Sequence, residues 1–412
     1  MNSLNAIEER DINLNANKVI GRLKDQGFHA YLVGGCVRDL LLGLTPKDFD
    51  IATDARPEEV RDLFRNSRII GKRFRIVHVK FGREVIEVTP FRGPHAAEYD
   101  ENHSVSGMPL TDNVYGSFEE DAFRRDFTVN AIYYDPKEKR MVDLAGGKKD
   151  LKHKVIRMIG EPEDRFREDP VRMLRAIRFQ AKLGFQLEDE LRGSVKMLGH
   201  LIQDVSPARL FEETLKLFLS GYGAEAFRSM KEHAMYGWLF PQSKHSMKNQ
   251  ATEKLVKLSL VSTDSRIKEG KSVTPAFVLA AMFWYSFVEE KNKLEKRVHH
   301  SKLTAQTEAA SNVLRNQQLF TAIPKRFSIM IRDIWFLQSH LPILNGKKPD
   351  RTIEHRRFRA AYDFLLLREN TGEQTNQLGE WWTEYQDANE ERKVAMKKNA
   401  HTFKGRRLRG KL

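Results

Sequence analysis

The sequence predicts a multidomain α+β protein: a small mixed α/β head followed by an all-α neck, body and C-terminal helical region. Three observations predict it. Over residues 1–147, short apolar runs closed by glycine alternate with helical segments. From Asp169 onward, 3.6-residue apolar periodicity takes over. A chain of 412 residues is also long enough for about two to four domains with ample core. The expected divisions are a head at 1–147, a neck at 148–230, a helical body and C-terminal region at 231–385, and a flexible basic tail at 386–412.

The elements follow in order. Asn15 to Lys24 reads as an amphipathic helix ending before Gly27, and Ala30-Tyr31-Leu32-Val33 as a short strand entering Gly34-Gly35. Val37 to Leu42 is helical and stops at Gly43. A second strand covers Phe49-Asp50-Ile51-Ala52. Pro57 sits where helices begin, and Glu58 to Phe64 continues that helix. Arg75 to Phe81 and Val85 to Thr89 alternate as a hairpin with Gly82 at the turn. Periodicity is lost from Gly93 to Gly116, where His, Asn, Ser, Gly, Pro and Asp dominate. That stretch is expected to be a mobile loop on the head, or a passive insertion. Farther on, Ala276 to Phe287 is almost wholly apolar and reads as a buried helix. Ile329 to Leu337 and Phe358 to Leu367 are further helices. The segment from Arg392 to Leu412 carries many Lys and Arg and no acid, which predicts a tail without a core.

Composition bounds the function. The formal net charge is +14, and the pI is about 9.6. Such an excess points to a polyanionic partner, of which nucleic acid is the commonest, and fits equally a soluble basic protein with no special partner. The single cysteine, Cys36, excludes an internal disulfide framework and a Cys-based zinc site. No apolar run is long enough to span a membrane, and the polar, acidic start lacks a signal-peptide core. A cytoplasmic location is expected.

The chemistry concentrates in Gly34-Gly35, Arg38-Asp39, Asp48-Phe49-Asp50 and Glu87. Residues two apart on an extended strand point to one side, so Asp48 and Asp50 would set two carboxylates together. Their repulsion is relieved by a cation, and magnesium prefers such oxygen ligands together with substrate phosphates. Glu87, on a neighbouring strand, could complete the ligand set. Two ions about 3.5–4 Å apart can align attacking and leaving oxygens. Glycines let the backbone approach a triphosphate closely. Arg38 follows at a spacing that can reach a phosphate, with Asp39 to orient it. Neither a GxGxxG fingerprint nor a GxxxxGK[ST] phosphate loop is present, which argues against a dinucleotide-binding dehydrogenase and a P-loop NTPase. On a continuous helix, Glu168, Arg172 and Arg175 would line one stripe, beside an apolar stripe of Val171, Leu174, Ile177 and Ala181.

These residues carry a resemblance. The run from Leu32 to Gly43 followed by Asp48-Phe49-Asp50 resembles the signature of class II nucleotidyltransferases, the family of bacterial poly(A) polymerases and tRNA CCA-adding enzymes. Glu119-Glu120-Asp121, Arg124-Arg125-Asp126-Phe127-Thr128 and Asn130-Ala131 resemble its sugar- and nucleotide-contacting motif. Phe166 to Phe179, with Glu168-Asp169-Pro170, Arg172, Arg175 and Arg178, resembles its base-recognition helix. The resemblance implies two Mg2+ ions held by Asp48, Asp50 and Glu87. It also implies that Glu168 and Arg172 select the base without a template, with Arg175 and Arg178 contacting the nucleotide. Asp126 is expected near the site, as a catalytic acid, as an orienter of Arg124 or Arg125, or on the ribose.

Ile69 to Val79, with Lys72, Arg73 and Arg75, resembles the short motif of the poly(A) polymerase branch and places RNA-contacting basic residues beside the site. Pro275 to Tyr285, Ile323 to Trp335 and Phe358 to Asp363 agree with that branch. It implies transfer of AMP from ATP to RNA 3′ ends with release of pyrophosphate, in mRNA processing and decay. RNA-degradation proteins are candidate partners. The alternatives are CCA addition to tRNA and a non-catalytic RNA-binding protein. Trp381-Trp382 could stack on bases or belong to a core.

Overall fold

Among the described residues, seven short strands, none longer than seven residues, form one mixed sheet in the N-terminal half. The computed structural model describes residues 4–71, 75–93, 114–296 and 301–400. Its contacts divide the chain into two units, Met1–Asp204 and Val205–Leu412.

In the first unit, Asn13 caps helix α1 (Leu14–Asp25), its side chain accepting from the Asn15 and Ala16 amides. Strand β1 (Ala30–Val33) then runs into helix α2 (Gly35–Leu41). Strand β2 (Asp50–Thr53), helix α3 (Pro57–Leu63), and strands β3 (Ser67–Ile70), β4 (Ile76–Phe81) and β5 (Glu84–Pro90) follow. Helix α4 (Phe118–Arg124) precedes β6 (Ile132–Asp135) and β7 (Arg140–Asp143). The sheet order is β3-β4-β5-β2-β1-β6-β7. Among the described residues of this sheet, β2 and β5 are the one parallel pair, which aligns Asp50 with Glu87. Gly82 turns the β4–β5 hairpin at φ +62°, as the alternating pattern predicts.

One sheet face packs Tyr31, Val33, Ala52, Phe91 and Tyr133 against Ala122 and Phe118 of α4. That packing fixes the helix whose last turn delivers Arg124 and Arg125. Helices α5 (Gly147–His153), α6 (Pro162–Glu168), α7 (Val171–Leu183) and α8 (Asp189–Leu198) complete the unit. A two-stranded parallel pair joins β8 (Val155–Ile156) to β9 (Gln186–Leu187). The boundary between units lies at 204/205, so α6 and α7 fall in the same compact unit as the sheet.

The second unit is helical. Pro275–Glu295 is its centre, with Leu279 to Phe283 fully enclosed, and it packs against Gln250–Lys268, Lys302–Gln318 and Lys325–His340. Trp335 donates its indole N–H to the Ala280 carbonyl at 3.1 Å and stacks on Phe287 with centroids 4.6 Å apart.

The expected flexible tail from 386 is corrected. Leu378–Asp387 and Glu390–Lys398 are helices, and Met396 and Ala400 are buried with Trp381, Trp382 and Tyr385. The charged face of the last helix hides this single apolar anchor. Residues 401–412 lie outside the described residues. Trp381 and Trp382 are core residues, 4% and 0% exposed, and Trp382 donates to the Leu341 carbonyl at 3.0 Å.

Charge divides with the units. Residues 1–204 hold 34 Lys and Arg against 34 Asp and Glu, whereas residues 205–412 hold 36 against 22. The whole excess of +14 therefore sits on the helical unit. Among the described residues, no helix is long and apolar enough to cross a membrane.

Candidate active site

Gly34 sets the geometry. Its φ of +77° is a conformation a side chain would strain, and it turns the chain from β1 into α2. Pairing of β1 with β2 therefore ends at Val33 opposite Asp50. Asp50 is the first residue of β2, while Asp48 lies just before the strand and is exposed. The expectation that both acids ride on one strand is thus corrected.

Asp50 and Glu87 are in-register neighbours. Burial pushes the Asp50 pKa up to about 6, Glu87 and then Asp48 add to the rise, and Arg125 opposes it. Burial also raises Glu87, with Asp48 adding and Arg92 opposing. The three acids therefore feel one another electrostatically. Among the described residues, no three His, Cys, Asp or Glu side chains are drawn together as a ready metal cluster. The donor set nevertheless fits a divalent cation: its members are carboxylates, and their mutual repulsion is what such an ion relieves. His78 faces Glu87 across β4 and β5, with Nε2 3.7 Å from Oε2.

Arg38 is not displayed to solvent, being 2% exposed. Its Nε donates to Asp39 Oδ1 at 2.8 Å and its Nη1 to Asn130 Oδ1 at 2.6 Å. Lys182 Nζ reaches the other Asp39 oxygen at 3.0 Å. Asn130 in turn donates to Asp126 Oδ1 at 3.2 Å, and Arg175 Nε donates to Asp126 Oδ2 at 2.7 Å. One polar network thus ties the glycine turn, the Asp126–Asn130 segment and α7 together. Burial would raise the Asp126 pKa, but Arg175, Asn130 and the Phe127 amide outweigh it and hold the carboxyl below its ordinary value. The Asp126 carboxylate is therefore engaged by Arg175. Arg125 is held by Asp121 at 2.9 Å and by the Tyr133 hydroxyl at 2.8 Å.

Phe179 is the apolar counterpart of this network. The guanidiniums of Arg38, Arg175 and Arg178 lie 5.2, 5.7 and 5.0 Å from its ring centre. Cys36 is buried behind the turn, its Sγ–H donating to the Val33 carbonyl at 3.2 Å, and burial pushes its pKa up to about 12, so it remains a thiol.

The stripe of Glu168, Arg172 and Arg175 on one helix is also corrected. α6 ends at Glu168, and α7 begins at Val171. Pro170 disfavours helical backbone at the residue before it, and Asp169 is extended at φ −150° and ψ 94°. Asp169 accepts from the Val171 amide at 3.2 Å, which starts α7. Glu168 and Arg172 still meet across the break, with Arg172 Nη1 2.6 Å from Glu168 Oε2. Burial, followed by the positive charges of Arg92, Arg172 and Arg165, lowers the Arg124 pKa to about 10. Arg92, Arg124, Arg165 and Arg172 thus form a cluster of positive charge, and Arg92 also acts on Glu87.

Sequence reasoning missed Arg92 and Arg165 in that cluster. Arg165 lies three residues before Glu168, a helical spacing that could have flagged it. Arg75 pairs with Glu58. Lys72, Arg73 and most of the Gly93–Gly116 stretch lie outside the described residues.

Residues 30–157 match the family described as Poly A polymerase head domain. Residues 184–247 match the probable RNA and SrmB-binding site of polymerase A, and 298–411 its arginine-rich C-terminus. Poly(A) polymerase I of Escherichia coli O6:H1 is 46% identical over 390 residues, covering 92% of this chain and 84% of that protein. The CCA-adding enzyme of Lactobacillus helveticus is 40% identical over 218 residues, covering 53% of each. The solved CCA-adding enzyme of Bacillus stearothermophilus in complex with CTP is 25% identical, covering 95% of this chain and 98% of that one, with a TM-score of 0.51.

Proposed function

The chain belongs to the poly(A) polymerase I family of nucleotidyltransferases, and from that premise we propose how its residues carry out template-independent polyadenylation. It is a polynucleotide adenylyltransferase that transfers AMP from ATP to the 3′-hydroxyl of RNA with release of pyrophosphate. The likeness to a poly(A) polymerase spans 92% of the chain, against 53% for a CCA-adding enzyme, and this difference favours polyadenylation over CCA addition. Nucleotide and RNA are its substrates. A cytoplasmic site of action fits them, and RNA-degradation proteins are not part of this reading.

Asp48, Asp50 and Glu87 would hold two Mg2+ ions. Bound there, the metal supplies Lewis-acid stabilisation of phosphate charge and acidifies the RNA hydroxyl. The protein's own groups do the rest. The arginine cluster of Arg92, Arg124 and Arg172 balances triphosphate charge. The Gly34-Gly35 turn lets the substrate approach the strand ends closely. Arg38 and Asp39 lie behind that turn and stiffen it, so they act as positioning residues. Glu168 and Arg172 present an acceptor beside a donor, which suits one edge of adenine. Arg175 and Arg178 border the nucleotide from α7, and Asp126 and Asn130 hold Arg175 in place. The basic helical unit, together with Lys72, Arg73 and Arg75, grips RNA through its phosphates without reading sequence.

The observation that carries this reading is the in-register alignment of Asp50 with Glu87 on paired strands, with Gly34 turning the chain at the end of β1 and Asp48 just before β2. Its test is the pair Asp48→Ala and Asp50→Ala, which should abolish AMP incorporation while leaving RNA affinity within about twofold, since the RNA grip lies elsewhere. Activity surviving in either variant would refute the carboxylate assignment.

A further inference from the structure

Arg165 holds four groups at once. It is 9% exposed. Its Nη1 donates to Glu168 Oε2 at 2.7 Å, and its Nη2 donates to the Arg124 and Arg125 carbonyls at 2.5 and 3.0 Å. Its own carbonyl accepts from Arg172 Nη1 at 2.7 Å. Each contact has a physical reason. α4 ends at Arg124, so the carbonyls there lack helical donors and a guanidinium can cap them. Glu168 closes α6 one helical turn after Arg165, which brings the two side chains together. Arg172 must cross the break at Asp169-Pro170 to meet Glu168, so the helix itself does not fix that pair.

We propose that Arg165 is the specificity-determining positioning residue of this site, clamping the Glu168–Arg172 pair to the end of α4 so that the pair presents one fixed hydrogen-bonding edge to adenine. The inference rests on the reading that Glu168 and Arg172 select the base. Both guanidinium bonds to Glu168 fall on the same oxygen, Oε2, which restricts rotation of the carboxylate. Adenine offers a donor beside an acceptor on its Watson–Crick edge, whereas guanine offers an acceptor beside a donor. Discrimination therefore depends on the carboxylate and guanidinium keeping their order. A rigid clamp supplies that order, and a loose Glu168 would accept several edges. The same clamp ties base selection to the Arg124–Arg125 segment of the polyphosphate cluster, so a correctly read base and a correctly held triphosphate coincide.

The test measures kcat and KM for ATP, GTP, CTP and UTP on a generic RNA with Arg165→Gln, Arg165→Lys and Glu168→Gln, beside thermal unfolding of each protein. Arg165→Gln should lower kcat/KM for ATP about ten- to a hundredfold, chiefly through KM, while the other nucleotides change less. The preference for ATP therefore shrinks. Arg165→Lys keeps the buried charge but not the fork, so it should fold and restore the preference only in part. Arg165→Gln in the Glu168→Gln background should add little, because both act through one carboxylate. A loss shared equally by all four nucleotides in the Arg165 variants, with Glu168→Gln relaxing the preference, would overturn the role of Arg165 and leave base selection standing. An unchanged preference in Glu168→Gln would overturn the base-selection reading itself.

Discussion

Replacing Asp50 with Asn should stabilise the metal-free protein while destroying its activity. The magnitude follows from the aligned acids. Asp50 has an ordinary pKa of 3.8 and sits at about 6 in the fold, raised by burial, Glu87 and Asp48. The native state thus binds this proton more tightly than the unfolded state does. Stability contributed by the protonated form is present below about pH 4 and is lost as pH climbs through about 6, after which the loss is constant. A shift of roughly two units corresponds to roughly 2–3 kcal/mol at neutral pH. Asn has the same shape and no charge, so it escapes that loss. For a unit of this size the unfolding midpoint should rise by roughly 4–10 °C. The assay is thermal unfolding in chelator at pH 5, 6 and 7.5, with wild type and Asp50→Asn side by side. The gap between them should widen with pH, and magnesium should narrow it by stabilising wild type alone. A gap that is absent at pH 7.5, or identical at pH 5 and 7.5, would refute the like-charge cluster.

Other outcomes follow from the same geometry. Asp126→Asn weakens the grip on Arg175 and should cost about 1.5–3 kcal/mol of stability while raising the KM for ATP, and an unchanged KM would show that Arg175 does not need Asp126. Trp382→Ala opens a cavity in the C-terminal core and should cost about 3–5 kcal/mol in chemical denaturation. RNA affinity of the folded protein should stay unchanged, and a selective loss of RNA binding would instead make Trp382 a stacking residue. Lys325→Gln with Arg326→Gln, both on the basic helical unit, should lower the salt dependence of RNA binding by about one to two counterions. Unaltered salt dependence would remove that surface from the RNA path.

Much of the site was legible because its chemistry is local in sequence. The Gly34-Gly35 turn and the hairpin that carries Glu87 follow from glycines and a two-residue period; the structure sets Asp50 in register with Glu87 in one sheet, while Gly34-Gly35 lead into α2 and Asp48 lies just before β2. What escaped was tertiary. Arg38 reads as a phosphate ligand, yet Asn130, 92 residues away, claims its guanidinium in the interior. The break between α6 and α7 was written in Pro170, but the strong helical periodicity on either side hid it. Strands β3, β6 and β7, of four residues each, pair with β4, β1 and one another only through tertiary contacts. The last helix is charged nearly all round and owes its place to Met396, which only the Trp381–Tyr385 core could reveal.

The most direct measurement of the central claim is nucleotide incorporation onto a short generic RNA and onto a tRNA lacking its 3′ end, with magnesium and each nucleoside triphosphate alone. The account predicts long A-tracts from ATP on the generic RNA. Addition of C, C and A to the tRNA followed by a halt, with no tract on the generic RNA, would contradict it.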